Sequence, residues 1–196
     1  MDIKRVIKAL VSSLRHVPST IAIQHGSGLV IGKDFSCRRP KYVAFGKNIS
    51  LGKRCRLYCY DRHGGESLSP SLTIGDNTMF GDDCRFLVAD DCCIGNNVLA
   101  ASYILITTEN HGMYCCDEGY SQQPLITAPV AIEDNCWIGE NVVVLPGVRI
   151  GYNSIIGAGS VVNKDIPPCS IAVGNPVRVI KRWDSASNQW IRHIDK

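Results

Sequence analysis

Among the side chains of this 196-residue protein that could do chemistry are five histidines, ten cysteines and several acidic pairs. The histidines are His16, His25, His63, His111 and His193. An imidazole, with an ordinary pKa of about 6.5, can accept a proton at neutral pH. His111 follows Ile104-Leu-Ile-Thr-Thr-Glu-Asn and precedes a polar stretch that runs on to Pro129. Taken by itself, it reads more simply as a histidine hydrogen-bonded within a loop than as a reactive one. His63 lies in another polar stretch and is a candidate to line a pocket, while the other three read as solvated or structural. No histidine pair has metal-ligand spacing, so no metal site is expected. Cys92-Cys93 and Cys115-Cys116 are adjacent, Cys55 and Cys59 are four apart, and no C-x-x-C occurs. That pattern predicts free thiols packed as small apolar groups. Asp82-Asp83 and Asp90-Asp91 are acidic pairs of a type common in turns.

Composition narrows the class. Hydrophobic residues make up 45% and charged residues 20%, close to a globular average, so extended disorder is a poor reading. A formal charge of +3 is too small for a dedicated nucleic-acid binder, and the basic residues are scattered until the last quarter. The stretch Cys92 to Thr108 is too short and polar to span a membrane. The first seventeen residues, MDIKRVIKALVSSLRHV, are amphipathic and lack the unbroken apolar core of a secretion signal. The expectation is a cytoplasmic protein without a membrane span.

The elements that must position these groups are set by a repeat. From residue 132 an aliphatic recurs every six: Ile132, Ile138, Val144, Ile150, Ile156, Val162. The same beat appears as Phe45, Leu51, Leu57, as Ile74, Phe80, Phe86 and as Ile94, Ala100, Ile106. Four positions after the later aliphatics come the compact residues Cys136, Val142, Val148, Ser154 and Ser160. Neither an α-helix nor an alternating strand has this period. It predicts an all-β fold, a parallel β-helix in which three six-residue units form one coil of about 18 residues. Asn and Gly would turn the corners with positive φ.

Interruptions of the beat mark loops. Leu57 to Ile74 is 17 residues, one short of a coil; Phe86 to Ile94 is eight; Ile106 to Ile132 is 26, which leaves roughly eight beyond a coil. The domain reading is an N-terminal helical cap over 1–20 and a β-helix over 21–175. A loop projects from it at about 107–129, and a C-terminal segment over 176–196 turns helical from about Asp184.

The runs Ile132-Glu-Asp-Asn-Cys-Trp-Ile-Gly, Leu145-Pro-Gly-Val-Arg-Ile-Gly, Ile156-Gly-Ala-Gly-Ser-Val-Val, Lys164-Asp-Ile-Pro-Pro and Gly174-Asn-Pro-Val-Arg resemble the hexapeptide-repeat acyltransferases. The likeness is to the galactoside, maltose and polysaccharide O-acetyltransferase branch and covers roughly 72–182. It implies left-handed coils, against the usual hand of parallel crossovers, and a homotrimer with active sites between subunits. It also implies acetyl-CoA as donor and a sugar hydroxyl or polysaccharide precursor as acceptor. Residue by residue, it makes His111 the catalytic base and puts Asp83, Asp90, Asp91 and Tyr114 near the acceptor. Trp137, Gly139, Glu140, Ala158 and Asn163 fall at donor positions. Lys164, Arg178 and Lys181 fall where cations meet the donor's phosphates; Glu140 replaces a smaller residue.

The implied reaction is direct acetyl transfer in a ternary complex, because no cysteine falls beside His111 in the repeat. Cys115 and Cys116 remain in its loop. N-acetylation of an amino-sugar nucleotide and acetylation of an antibiotic are alternatives that the repeat does not separate. A structural solenoid is the non-enzyme alternative, although the broken coils and matched cations fit it poorly.

Overall fold

The computed structural model describes residues 24–193, so the expected N-terminal helix lies outside the described residues. The described chain is almost entirely strand and turn, and its one helical element is a three-residue 3-10 turn, Pro40–Tyr42. It winds as a three-sided solenoid whose faces are parallel sheets visited in rotation.

The first face stacks Gln24–His25, Val43–Phe45, Ser71–Ile74, Asp91–Ile94, Val130–Ile132 and Arg149–Ile150. The second stacks Val30–Ile31, Ser50–Leu51, Met79–Phe80, Leu99–Ala100, Trp137–Ile138, Ile155–Ile156 and Ser170–Val173. The third stacks Ser36–Arg38, Arg56–Cys59, Arg85–Val88, Leu105–Thr107, Val143–Val144 and Val161–Val162.

Register follows the six-residue beat without slippage. Phe45, Ile74, Ile94, Ile132 and Ile150 are successive partners on the first face. Leu51, Phe80, Ala100, Ile138 and Ile156 are successive partners on the second. Leu57, Phe86, Ile106, Val144 and Val162 are successive partners on the third. All of them are buried. Because strand side chains alternate between faces, one inward residue per short side fills the core while its neighbours point outward. Where large residues coincide, Phe80 and Phe86 meet edge to face at 5.0 Å.

Corners explain the rest of the repeat. From Phe45 onward, wherever the next step is six residues, the fourth residue after the inward one turns back inside: Ile49, Cys55, Thr78, Cys84, Val98, Ile104, Cys136, Val142, Val148, Ser154 and Ser160 are all buried. Three of the ten cysteines are such corner pegs, and all ten are unbridged, as their spacing predicted. Burial pushes the Cys136 thiol up to about 11 and the Cys59 thiol up to about 12. At the corner between the first and second faces, Asn48, Asn77, Asn97, Asn135 and Asn153 all have φ between +55° and +58°. The acidic or amide residue before the asparagine accepts a hydrogen bond from the coil above: Lys47 N–H donates to Asp76, Asp76 N–H to Asn96 and Asn96 N–H to Asp134. Glycine follows the aliphatic where coils approach most closely. A Cβ on Gly52 would lie 2.5 Å from the Gly81 carbonyl oxygen.

Two expectations need correction. The intervals Leu57–Ile74 and Ile106–Ile132 contain no hidden coil. Each is a single corner with its whole excess of residues, eleven and twenty, looped outward. The excess leaves as antiparallel hairpins, Arg62–His63 with Glu66–Ser67 and Glu109–His111 with Leu125–Thr127. The C-terminal segment is not helical from Asp184. Arg178–Asp184 pairs antiparallel with Ser170–Val173 and folds back through Gln189–Arg192. The open edge of the second face supplies backbone partners there, the Asp184 carboxylate accepts from the Ala186 and Ser187 N–H groups in the turn, and Trp183 packs edge-on against Trp190 at 5.3 Å.

Replacing Gly52 with Ala therefore forces backbone apart between coils and should cost about 1–3 kcal/mol, read from the denaturation midpoint. Gly119, with nothing within 4 Å of its would-be Cβ, should accept Ala with a change within about 0.5 kcal/mol.

Candidate functional site

Every departure from the six-residue step occurs at the corner between the third and first faces. The successive steps there are eight (Cys37 to Phe45), 17, eight and 26 residues before the step returns to six (Val144 to Ile150), and the steps at the other two corners are six. Loops on one edge of a rigid solenoid are where sites are usually built.

The longest excursion is anchored at its base by Thr108. This fully buried residue accepts hydrogen bonds at its hydroxyl from the Ala89 and Asp90 N–H groups, at 2.8 and 3.1 Å. Asp90 is thereby tied to the root of the hairpin, and its carboxylate accepts from the Asp91 N–H. His111 ends the outgoing strand, opposite Leu125. Beyond it the loop is held by Gln123, which is buried. The Gln123 amide accepts from Tyr114 N–H at 2.9 Å and donates to the Tyr114 and Glu118 carbonyls, both at 3.0 Å.

The shorter hairpin, two coils back, reaches the same place. His63 Nε2 lies 3.1 Å from the Gln123 carbonyl oxygen, and the His63 ring stands edge-on to His111 with centroids 5.2 Å apart. His63 was legible only as a pocket candidate; its contact with His111 depends on two loops meeting. Gln123 was missed altogether, since nothing in its local sequence marks it as buried.

The other candidates divide by face. Asp90, Asp91 and the exposed Tyr114 share the edge with His111. Asp83 does not: it stands across the third face, at the corner between the second and third faces, in a two-pronged ion pair with Arg54 (2.8 and 2.6 Å). The Arg54 hydrogen bond, with that residue's charge and then those of Arg56 and Arg85, holds the Asp83 carboxyl below the usual carboxylate range. Gly139, Glu140 and Ala158 lie on that same corner. Trp137 points outward from the second face, where Lys181 also lies and where Arg178 pairs with Val173. Asn163 and Lys164 follow Val162, at the corner on the His111 side of the solenoid.

In a three-sided solenoid the corner bearing His111 is opposite the face bearing Trp137. One chain therefore gathers His111, His63, Asp90, Asp91 and Tyr114 but keeps them apart from Trp137, Glu140 and Ala158. Among the described residues no three His, Cys, Asp or Glu side chains converge as metal ligands, and no helix is long and apolar enough to cross a membrane.

Two measurements probe this geometry. Gln123→Ala leaves polar groups of the loop unpartnered, so exchange of the Tyr114 amide hydrogen should speed up by about tenfold or more while the coils keep their protection. Asp83 should titrate below an ordinary aspartate by NMR, and Arg54→Gln should move it upward. Because the folded-state value is depressed, the pair's stabilisation is present above the unfolded aspartate's pKa. It should fade as pH falls through the Asp83 titration.

The family model for the bacterial transferase hexapeptide (six repeats) matches residues 129–164. Galactoside O-acetyltransferase of Escherichia coli K12 is 34% identical over 151 residues, 77% of this chain and 62% of that protein. The chain thus spans under two thirds of that relative's length. A second E. coli K12 protein, provisionally named lipopolysaccharide biosynthesis O-acetyl transferase WbbJ, is 30% identical over 165 residues, 80% of this chain and 81% of its own. In fold, the crystal structure of a hexapeptide-repeat acetyltransferase from Vibrio cholerae O1 biovar eltor, complexed with acetyl coenzyme A, superposes with a TM-score of 0.59. It is 24% identical, and the match covers 94% of this chain and 80% of that one. Coil register, corner chemistry and the likeness to WbbJ over most of both chains agree: this chain belongs to the hexapeptide-repeat acetyltransferase family.

Proposed function

We propose that this chain transfers an acetyl group from acetyl-CoA to a hydroxyl of a sugar or polysaccharide precursor, with His111 as general base. The observation that carries the reading is the placement of His111 on a buttressed hairpin at the one edge of the solenoid where all insertions gather. The names of the two E. coli relatives, both O-acetyltransferases, support the reaction class.

The chemistry asks little of the protein beyond position. An acceptor hydroxyl attacks the thioester carbonyl carbon as His111 takes its proton; the carbon–sulfur bond then breaks, and the imidazolium returns the proton to the departing thiolate. Backbone N–H groups near the thioester would stabilise negative charge developing on its oxygen. Asp90 and Asp91 beside the hairpin and Tyr114 within its loop would hold acceptor hydroxyls. On the donor side, Ala158 and Gly159 offer an uncluttered corner for a narrow pantetheine arm, with no atom within 4 Å of where a Gly159 Cβ would sit. Arg178, Lys181 and Lys164 supply cations for its phosphates.

Because His111 and Trp137 lie on opposite sides of one chain, the site is complete only between subunits. A homotrimer of left-handed coils, as in the resemblance, would bring them together. The outward side of the second face supports association: Val30, Met79, Leu99 and Trp137 lie along one stripe and each is about half exposed.

His111→Ala should lower turnover by about two to four orders of magnitude while CoA binding, followed by thermal shift, stays within about twofold of wild type. Undiminished turnover would remove His111 as the base. No stabilisation by saturating CoA would remove the donor.

A further inference from the structure

The corner between the second and third faces carries a column of positive-φ residues, among them Arg54, Asp83, Tyr103 and Asn141, in successive coils. Beside them, Arg56 and Arg85 are direct register partners on the third face and point outward, since Leu57 and Phe86, which follow them, are buried. Together these six side chains line a cleft of about 250 Å³.

Its charge is unbalanced. Three guanidinium groups face one carboxylate, and that carboxylate is already committed to Arg54. Elsewhere on the coils arginines have partners: Arg39 pairs with Asp61, Arg149 with Glu133, and Arg38 lies over the Tyr58 ring. No carboxylate stands within ion-pair distance of Arg56 or Arg85 among the described residues. Like charges directly opposite each other on neighbouring strands cost stability. Two adjacent guanidinium forks, with a phenol and an amide as further donors, match the oxygens of a phosphate or carboxylate.

Position along the solenoid distinguishes this cluster from the donor cations. Arg56 and Arg85 belong to coils before the His111 hairpin, whereas Ala158, Lys164, Arg178 and Lys181 come after it. Along the solenoid axis the coil that carries the His111 hairpin lies between the two basic regions, while His111 itself stands across the third face from the cleft.

We propose that the Arg56–Arg85 cleft is a subsite for an anionic group, phosphate or carboxylate, carried by the acceptor. Assigning the anion to the acceptor rests on acetyl transfer being the reaction. The acceptor is then a phosphorylated, nucleotide-linked or uronic sugar rather than a neutral one, and the two arginines determine specificity.

Calorimetric titration of the full chain tests this, using pyrophosphate in one arm and glucuronate in the other, each with and without saturating CoA. One probe, at least, should bind with CoA present. Binding should weaken by about a hundredfold in the Arg56→Gln/Arg85→Gln double variant and persist in Lys181→Gln. Pyrophosphate binding assigns a phosphate-bearing acceptor and glucuronate binding an acidic sugar. CoA binding by the double variant shows that it folds. Failure of both probes, survival of binding in the double variant, or abolition of binding by CoA would each overturn the subsite. A wild-type chain that binds a probe but not CoA would instead sink the acetyl-transfer reading and leave the anion site standing.

Discussion

A coil of this solenoid finds most of its backbone hydrogen-bond partners in the coils above and below it. That requirement dictates the rest. An unpaired peptide group inside costs about as much as a lost hydrogen bond, so each short strand must lie in register with its neighbours. Register in turn puts Ile132 under Ile94 and Ile150 under Ile132, so a six-residue sequence rule becomes a continuous apolar column. The corner chemistry serves the same end. Asp76, Asn96 and Asp134 accept from N–H groups of the preceding coil that no strand would pair, and glycine is needed where a methyl group would push two coils apart.

Such a frame tolerates insertions where they leave between two strands without shifting either. Here all of them leave at one corner, and the consequence is chemical. Hairpins from different coils are brought side by side, so His63 and His111, 48 positions apart in the chain, stand ring against ring. Buried Thr108 fastens this edge to the frame, and buried Gln123 holds the loop together. An imidazole on a paired strand, with a second ring against it, has less conformational freedom to lose than one on a free loop.

How much of this could be read beforehand follows from how local each signal is. The beat from Phe45 to Val162 was legible because the inward residue of each coil is fixed by its own sequence, independent of the partner it meets. Counting the 17- and 26-residue intervals in units of coils misled, since length alone does not say whether a segment adds a rung or bulges outward. The tail was misread as helix because its short run of alternating apolar and charged residues has no decisive period, and the edge of the second face decided its structure. Gln123 carries no mark of burial in its neighbours. The arginine pair is an intermediate case: once Leu57 and Phe86 are known to stack, the residues before them must be neighbours too.

The division of the candidate site between opposite sides of the solenoid bears on how this architecture arrives at catalysis. A three-sided rod has flat faces and a core closed by aliphatic side chains, and here the arginine cleft and the His111 hairpin stand at different corners. Under the proposed acetyl transfer, a site that joins His111 to Trp137 would come from apposing two such rods, with the imidazole on the edge opposite the apolar stripe reaching a neighbour's face. Activity and assembly would then be one property. Substitutions of Val30, Met79 and Leu99 in the stripe would act on catalysis through association, without any of those residues needing to touch the acetyl group.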